Sequence, residues 1–275
     1  MQSDLPPATA QPASPGSAID APPAGFRLGA IVGGVQKAGT TTLCSYLRAH
    51  PELLAPIRKE THFFDDEGRD WQGPDCGALR AFFPPGPAGR MAFDVTPIYL
   101  FWPSSLARIR NCYPAVRLIF LFRDPIERAW SHWRMERRRG AETLPFGAAI
   151  RDGRARLAGI APLDPAWRVF SYVERGFYAR QLQRLLSLFP REQILFLDMR
   201  HLAEQQETML ARIAAHLGIS PFPPLVSRHD HAAPADAERL DPRDVDYLRR
   251  LFCDDVLEFG RLSGLRTDHW LTMRG

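Results

Sequence analysis

Residues 117–122, RLIFLF, are apolar at every position after the first, and the run stops at Arg123-Asp124-Pro125. A half-solvated strand would alternate apolar and polar residues, and an amphipathic helix would space them at 3.6. A short unbroken run therefore fits a strand buried on both faces. Residues 28–33, 91–95 and 193–198 (QILFLD) share this character. Helical patterns separate them, at residues 40–50, 170–189, 204–217 and 241–262, and in a helix that Pro125 opens in its first turn and that runs to about Arg139. Buried strands alternating with helices predict an α/β fold in three layers, with helices on both faces of a central parallel sheet. In such sheets ligands bind outside the carboxyl ends of the strands, and the polar motifs of this chain fall there.

Residues 1–25 break the pattern. They are rich in Pro and Ala, without the basic start or apolar core of a signal peptide, and predict a disordered arm before a single domain at 26–275. The 45% hydrophobic content suits a large core. A net charge of +4 mildly favours anionic ligands and is far too small for coating nucleic acid. No apolar run reaches the roughly 18 residues of a membrane span. Cys44, Cys76, Cys112 and Cys253 lack metal-site spacing, and four are few for a disulfide scaffold of this length. They read as reduced thiols in a cytoplasmic protein.

The chain has 33 Arg and only two Lys, Lys37 and Lys59. The Arg excess reflects a compositional bias, so the two exceptions stand out. Lys37 lies in Gly33-Gly34-Val35-Gln36-Lys37-Ala38-Gly39-Thr40-Thr41-Thr42, a strand, a turn and a helix start. Backbone N–H groups at a helix start favour an anion, and Lys37 with the Thr hydroxyls adds donors. The segment is thus a phosphate cradle, although Lys37 precedes Gly39, so the Walker pattern is absent. An ordinary turn with Thr40 as N-cap is the structural alternative.

Lys59 lies in Arg58-Lys59-Glu60-Thr61-His62-Phe63-Phe64-Asp65. A carboxylate and an imidazole two residues apart, followed by aromatics, suit a partly dry pocket in which Glu60 acts as general base. A polar loop anchored by Phe63 and Phe64 is the plainer alternative. Further on, the Arg123 fork suits a phosphate, and Ser131 follows two turns along the helix.

Lys-x-Gly-Thr-Thr after a buried strand resembles the 5′-phosphosulfate loop of sulfotransferases that use 3′-phosphoadenosine 5′-phosphosulfate (PAPS). Lys-Glu-x-His-Phe-Phe-Asp is similar to the catalytic segment of the heparan sulfate branch, and the chain reads as a bacterial-type member. The resemblance spans about residues 28–220 and implies a P-loop-like α/β/α fold. It implies that Lys37, Ala38, Gly39, Thr40, Thr41 and Thr42 hold the phosphosulfate, and that Arg123 and Ser131 hold the 3′-phosphate. Glu60 falls on the base, His62 and Asp65 on its support, and Lys59 beside it. The implied reaction is in-line attack of an acceptor hydroxyl or amine on sulfur, with Lys37 stabilising the departing phosphate oxygen. The product would be the bisphosphate PAP, and no metal is required.

The segment Asp94-Val95-Thr96-Pro97-Ile98-Tyr99 resembles the family's Glu-Lys-Thr-Pro-x-Tyr and assigns Thr96 to substrate or support. Val95 stands where the heparan enzymes carry a glycan-contacting Lys, which argues against a highly anionic acceptor. Residues 172–181 resemble the family's Gly-x-Tyr helix start and place Tyr178 by the nucleotide or acceptor, with a half-buried core position as the alternative. The loop Ser227-Arg228-His229-Asp230-His231 takes the position of the family's basic closing segment, with Arg228 as phosphate contact. Two His alone are a weak metal site. Residues 134–139 (RMERRR) read as a solvated helix face, with an acidic acceptor or peripheral membrane contact as the alternative. Residues 140–168, with Trp167, are expected to shape the acceptor pocket. The expected acceptor is a saccharide hydroxyl, with peptide tyrosine or a phenolic metabolite as alternatives. A small-molecule kinase would need the missing Walker loop, and a non-catalytic nucleotide binder would have no use for Glu60.

Overall fold

The computed structural model describes residues 26–86, 89–224 and 239–274. The proposed arm at 1–25 and the loop carrying Arg228 lie outside the described residues. Strand β1 (Leu28–Gly34) is buried throughout and leads through a five-residue turn into α1 (Thr40–Ala49). A two-residue strand, β2 (Leu53–Leu54), precedes a long irregular segment that ends at β3 (Met91–Val95). Then follow α2 (Ser105–Cys112), β4 (Arg117–Phe122), α3 (Pro125–Arg138), α4 (Phe146–Ile150), α5 (Ala166–Phe170) and α6 (Tyr178–Leu188). The rest is β5 (Ile194–Asp198), α7 (Met199–Glu204), α8 (Gln206–Leu217) and α9 (Pro242–Ser263).

The five strands form one parallel sheet in the order β2-β3-β1-β4-β5. The apolar runs behave as their composition requires: β1 and β3 are wholly buried, and β4 is exposed only at Arg117. With helices over both faces, this is the three-layer α/β/α arrangement that the alternation predicts. Strand order also fixes where ligands go. The chain runs outward from β1 to β2, returns to β3, then crosses to β4 on the far side of β1. Consecutive connections thus leave opposite ways beside β1, and a crevice opens at its carboxyl end. Backbone bonds there tie the loops to the strands, with Val35 N–H donating to Leu121 O (2.8 Å), Thr96 to Val32 O (3.1 Å) and Leu100 to Gly33 O (2.9 Å).

Two expectations need correction. The reduced-thiol reading fails for two cysteines. Cys76 and Cys112, 36 residues apart in sequence, form a disulfide with Cα atoms 5.5 Å apart, while Cys44 and Cys253 are free. Fold-level proximity decides such pairing, and spacing along the chain cannot reveal it. Disulfides are characteristic of oxidising compartments, so the cytoplasmic expectation loses the support it took from free thiols. The single helix expected at 170–189 is also broken. Phe170 is the last residue of α5, a 3₁₀ turn occupies Glu174–Gly176, and α6 begins only at Tyr178. Arg175 braces the interruption: its Nε donates to the Ser171 hydroxyl at 2.7 Å and its Nη2 to the backbone carbonyl of Arg168 at 3.0 Å.

Candidate active site

The loop after β1 arrives at α1 without a side-chain cap. Gly39 takes the N-cap position at φ 83°, ψ 15°, a left-handed conformation that suits glycine, so Thr40 does not cap the helix. The first N–H groups of this ten-residue helix therefore lack intrahelical partners and face outward. Thr41 is exposed and Thr42 half-buried beside them, whereas Thr40 is buried. Lys37 also has left-handed backbone, at φ 73°. Its Nζ lies 3.7 Å from Met135 Sδ on α3. Burial lowers the Lys37 pKa, and the nearby Arg138, Arg139 and Arg123 lower it further. Uncapped N–H groups, an ammonium and surrounding guanidiniums form a donor set that fits a multiply charged anion.

The base segment is positioned by a buried cluster beneath it. Asp94, fully buried at the end of β3, accepts from Thr61 Oγ1 (2.9 Å), Thr96 Oγ1 (3.0 Å) and Tyr99 OH (2.8 Å). Burial raises the Asp94 pKa, against those three bonds. Thr96 is itself fully buried, so it supports the loop from below. Glu60 N–H donates to Val95 O at 3.1 Å, fastening the segment to β3. Val95 is buried in the sheet, with no side chain in the crevice.

Glu60 and His62 have positive φ, 64° and 51°, which turns both side chains into one network. Lys59 Nζ meets Glu60 Oε1 at 2.5 Å, His62 Nε2 lies 3.5 Å from Glu60 Oε2, and His62 Nδ1 lies 2.9 Å from Asp65 Oδ2. Asp65 is fully buried and also takes the Arg168 guanidinium. Burial alone would raise the Glu60 pKa, but the hydrogen bond from His62 and the Lys59 charge bring it down to about 2. Hydrogen bonds to Asp65 and Glu60 raise His62 to about 9, against burial. At neutral pH the site thus holds a carboxylate beside an imidazolium.

Glu60 and His62 open onto a cavity of about 670 Å³ that Gln36, Arg69, Arg139, Arg168 and Arg175 also line. Gln36 directly precedes Lys37, and its Oε1 accepts from Arg175 Nη1 at 2.6 Å. Arg175 Nη2 reaches Arg168 O at 3.0 Å, and Arg168 holds Asp65. The β1 loop, the base segment and the α5 region are therefore one hydrogen-bonded unit. Arg168 and Arg175 escaped the sequence reading because, in so Arg-rich a chain, neither carries a signal. Gln36 was visible in its motif. Arg139, read as part of a solvated face, is exposed but stands on the rim of this cavity. Trp167 lies apart, lining a smaller hollow with Phe101.

The phosphate candidates lie across α3. Arg123, half-buried, pairs its Nε with Glu127 Oε2 at 2.9 Å, and Ser131 is half-buried two turns on. Arg123 stands at the carboxyl end of β4 and lines a second cavity of about 320 Å³, whereas Ser131 lies further along α3 and is not part of that lining. Tyr178 does not reach either cavity. It is fully buried against Phe122 and Phe259, and its hydroxyl donates to Arg123 O at 2.9 Å. It therefore holds the Arg123 backbone from the core.

No family model matches the chain. Over 195 residues, 69% of the chain, it is 31% identical to mouse heparan sulfate glucosamine 3-O-sulfotransferase 6, covering 52% of that protein. Over 215 residues, 76% of the chain, it is 30% identical to the human protein of the same name, covering 58% of it. The chain thus spans about half the length of the curated relatives it matches. The crystal structure of a sulfotransferase from Alicyclobacillus acidocaldarius is similar to it at a TM-score of 0.70 and 27% identity, over 89% of this chain and 98% of that one.

Proposed function

Because this chain belongs with the sulfotransferases of the heparan sulfate type, we propose that it transfers a sulfuryl group from PAPS to a hydroxyl or amine of a saccharide, with Glu60 as general base. The observation that carries this reading is that the donor loop and the base share one cavity. Gln36, next to Lys37, and Glu60 line the same 670 Å³ space. Bound at the β1 loop, PAPS would supply a sulfuryl group on an activated phosphate. The uncapped N–H groups of α1, with Thr41, Thr42 and Lys37, hold its charged end, and Arg123 with Ser131 holds its 3′-phosphate.

The chain's own residues do the remaining work. Glu60 is ionised throughout the neutral range and accepts the acceptor's proton. A carboxylate near pKa 2 is a weak base, since proton transfer is most efficient when the base is matched to the working pH. An acceptor entering beside Glu60 displaces Lys59 from Oε1 and removes one of the interactions that hold the pKa down. His62, clamped by Asp65, keeps the carboxylate aimed. Arg168 and Arg175 lock these parts to the donor loop, so positioning and fixed charge supply most of the acceleration.

The test is Glu60→Gln. It keeps the side-chain shape and removes the proton acceptor, so nucleotide affinity should be retained while transfer falls by about 10²–10⁴. Wild-type turnover in this variant would remove Glu60 from the mechanism.

A further inference from the structure

Beyond α9 the chain turns back across the carboxyl ends of β4 and β5. Residues 266–274 are held there by two buried aspartates, each following or ending one of those adjacent strands. Asp124, next to Arg123, accepts from Thr272 N–H at 2.8 Å and from its hydroxyl at 2.7 Å. Asp198, the last residue of β5, accepts from the Trp270 indole N–H at 2.9 Å and stands 3.1 Å from His269 Nε2. Trp270 is buried and stacked on Phe259, with ring centroids 5.4 Å apart. These contacts hold the segment as a wall across the strand ends.

The wall faces the 320 Å³ cavity that Arg123 lines, and it contributes His269, Leu271 and Arg274. Charges around the cavity are largely matched. Arg123 pairs with Glu127 at 2.9 Å and Arg200 with Glu204 at 2.7 Å. Asp124 and Asp198 are engaged by the segment itself and by the helix starts that they cap. Arg274 is exposed and has no carboxylate partner among the described residues. A cavity that joins one unmatched guanidinium to a second on a strand end suits a compact anion with several oxygens, because each guanidinium offers a planar pair of donors.

Resting on the donor reading above, we propose that residues 266–274 form one wall of the nucleotide site and that Arg274 binds the 3′-phosphate together with Arg123. Thr272 then acts as a positioning residue, because its bonds to Asp124 fix the backbone next to Arg123. The experiment is calorimetric titration of the full chain and of Arg274→Ala with adenosine 3′,5′-bisphosphate and with adenosine 5′-monophosphate. Losing a charge-assisted contact should weaken bisphosphate binding about tenfold while monophosphate binding stays unchanged. Unchanged binding of both nucleotides, or an equal loss for both, would overturn the assignment of Arg274. Failure of the wild-type chain to bind the bisphosphate would overturn the donor reading itself, and this inference with it.

Discussion

Lys37, Glu60 and His62 are the non-glycine residues with positive φ among the described residues, and all three are in the proposed active site. Left-handed backbone at such residues costs on the order of 1–3 kcal/mol each and persists only where the surroundings enforce it. Here the enforcing contacts are visible: Glu60 N–H on Val95 O, and His62 on Asp65. The ionisation of the network gives a pH prediction. Glu60 drops from 4.5 to about 2 in the fold, so its stabilisation is present above pH 4.5 and lost as pH falls towards 2. His62 rises from 6.5 to about 9, so its contribution is complete below pH 6.5 and lost as pH rises through 9. Thermal unfolding of wild type against His62→Gln should therefore show its widest gap between pH 4.5 and 6.5, closing above 9. A gap independent of pH would contradict the network. Lys37→Arg provides a second check, because a planar guanidinium fits the tight loop less well than a compact ammonium. Transfer should fall further than nucleotide affinity, and equal activity would contradict the role of Lys37. Both lysines were legible as exceptions in an Arg-rich chain. The strain was not, since φ depends on contacts that no local pattern encodes.

The elements that carry the site differ in how much of them the sequence revealed. Strands β1, β3, β4 and β5 were legible within one residue at their ends, because burial on both faces leaves an unbroken apolar run. Helix α2 and the two-residue β2 were missed. The 3₁₀ turn before α6 was read as helix, because Phe170, Val173 and Phe177 keep a helical apolar spacing while tertiary contacts of Arg175 hold the backbone open. The segment between β2 and β3 supplies Glu60, His62, Arg69 and Phe82 to the cavity with little regular structure of its own. The Cys76–Cys112 disulfide ties its 3₁₀ stretch Cys76–Phe82 to the end of α2. Loop-closure entropy for a bridge of this span is worth about 4 kcal/mol. Cys76→Ser with Cys112→Ser should lower the unfolding midpoint markedly. Acceptor KM should rise while nucleotide affinity is kept, because Phe82 stands on the tied stretch and lines the shared cavity, whereas the donor loop is fastened separately to β4 through Val35 N–H on Leu121 O. An unchanged midpoint would mean that the bridge is not formed.

At the scale of the whole molecule, strand order does the organising. The crossover beside β1 brings together the loops after β1, β3 and β4, which supply the anion cradle, the buried Asp94 platform and Arg123. That convergence follows from alternating strands and helices, and so was legible before the sheet order was known. The arginines that link the loops were not, because Gln36 and Arg175 lie 139 residues apart in sequence. The central claim is that this assembled crevice moves a sulfuryl group to a sugar, and label transfer tests it most directly. PAPS carrying labelled sulfate is incubated with the purified chain and a panel of neutral and acidic oligosaccharides. Label should enter a saccharide as a sulfate ester or sulfamate in the wild type and be almost absent with Glu60→Gln. Label that enters no saccharide, or that enters equally with Glu60→Gln, would contradict the account.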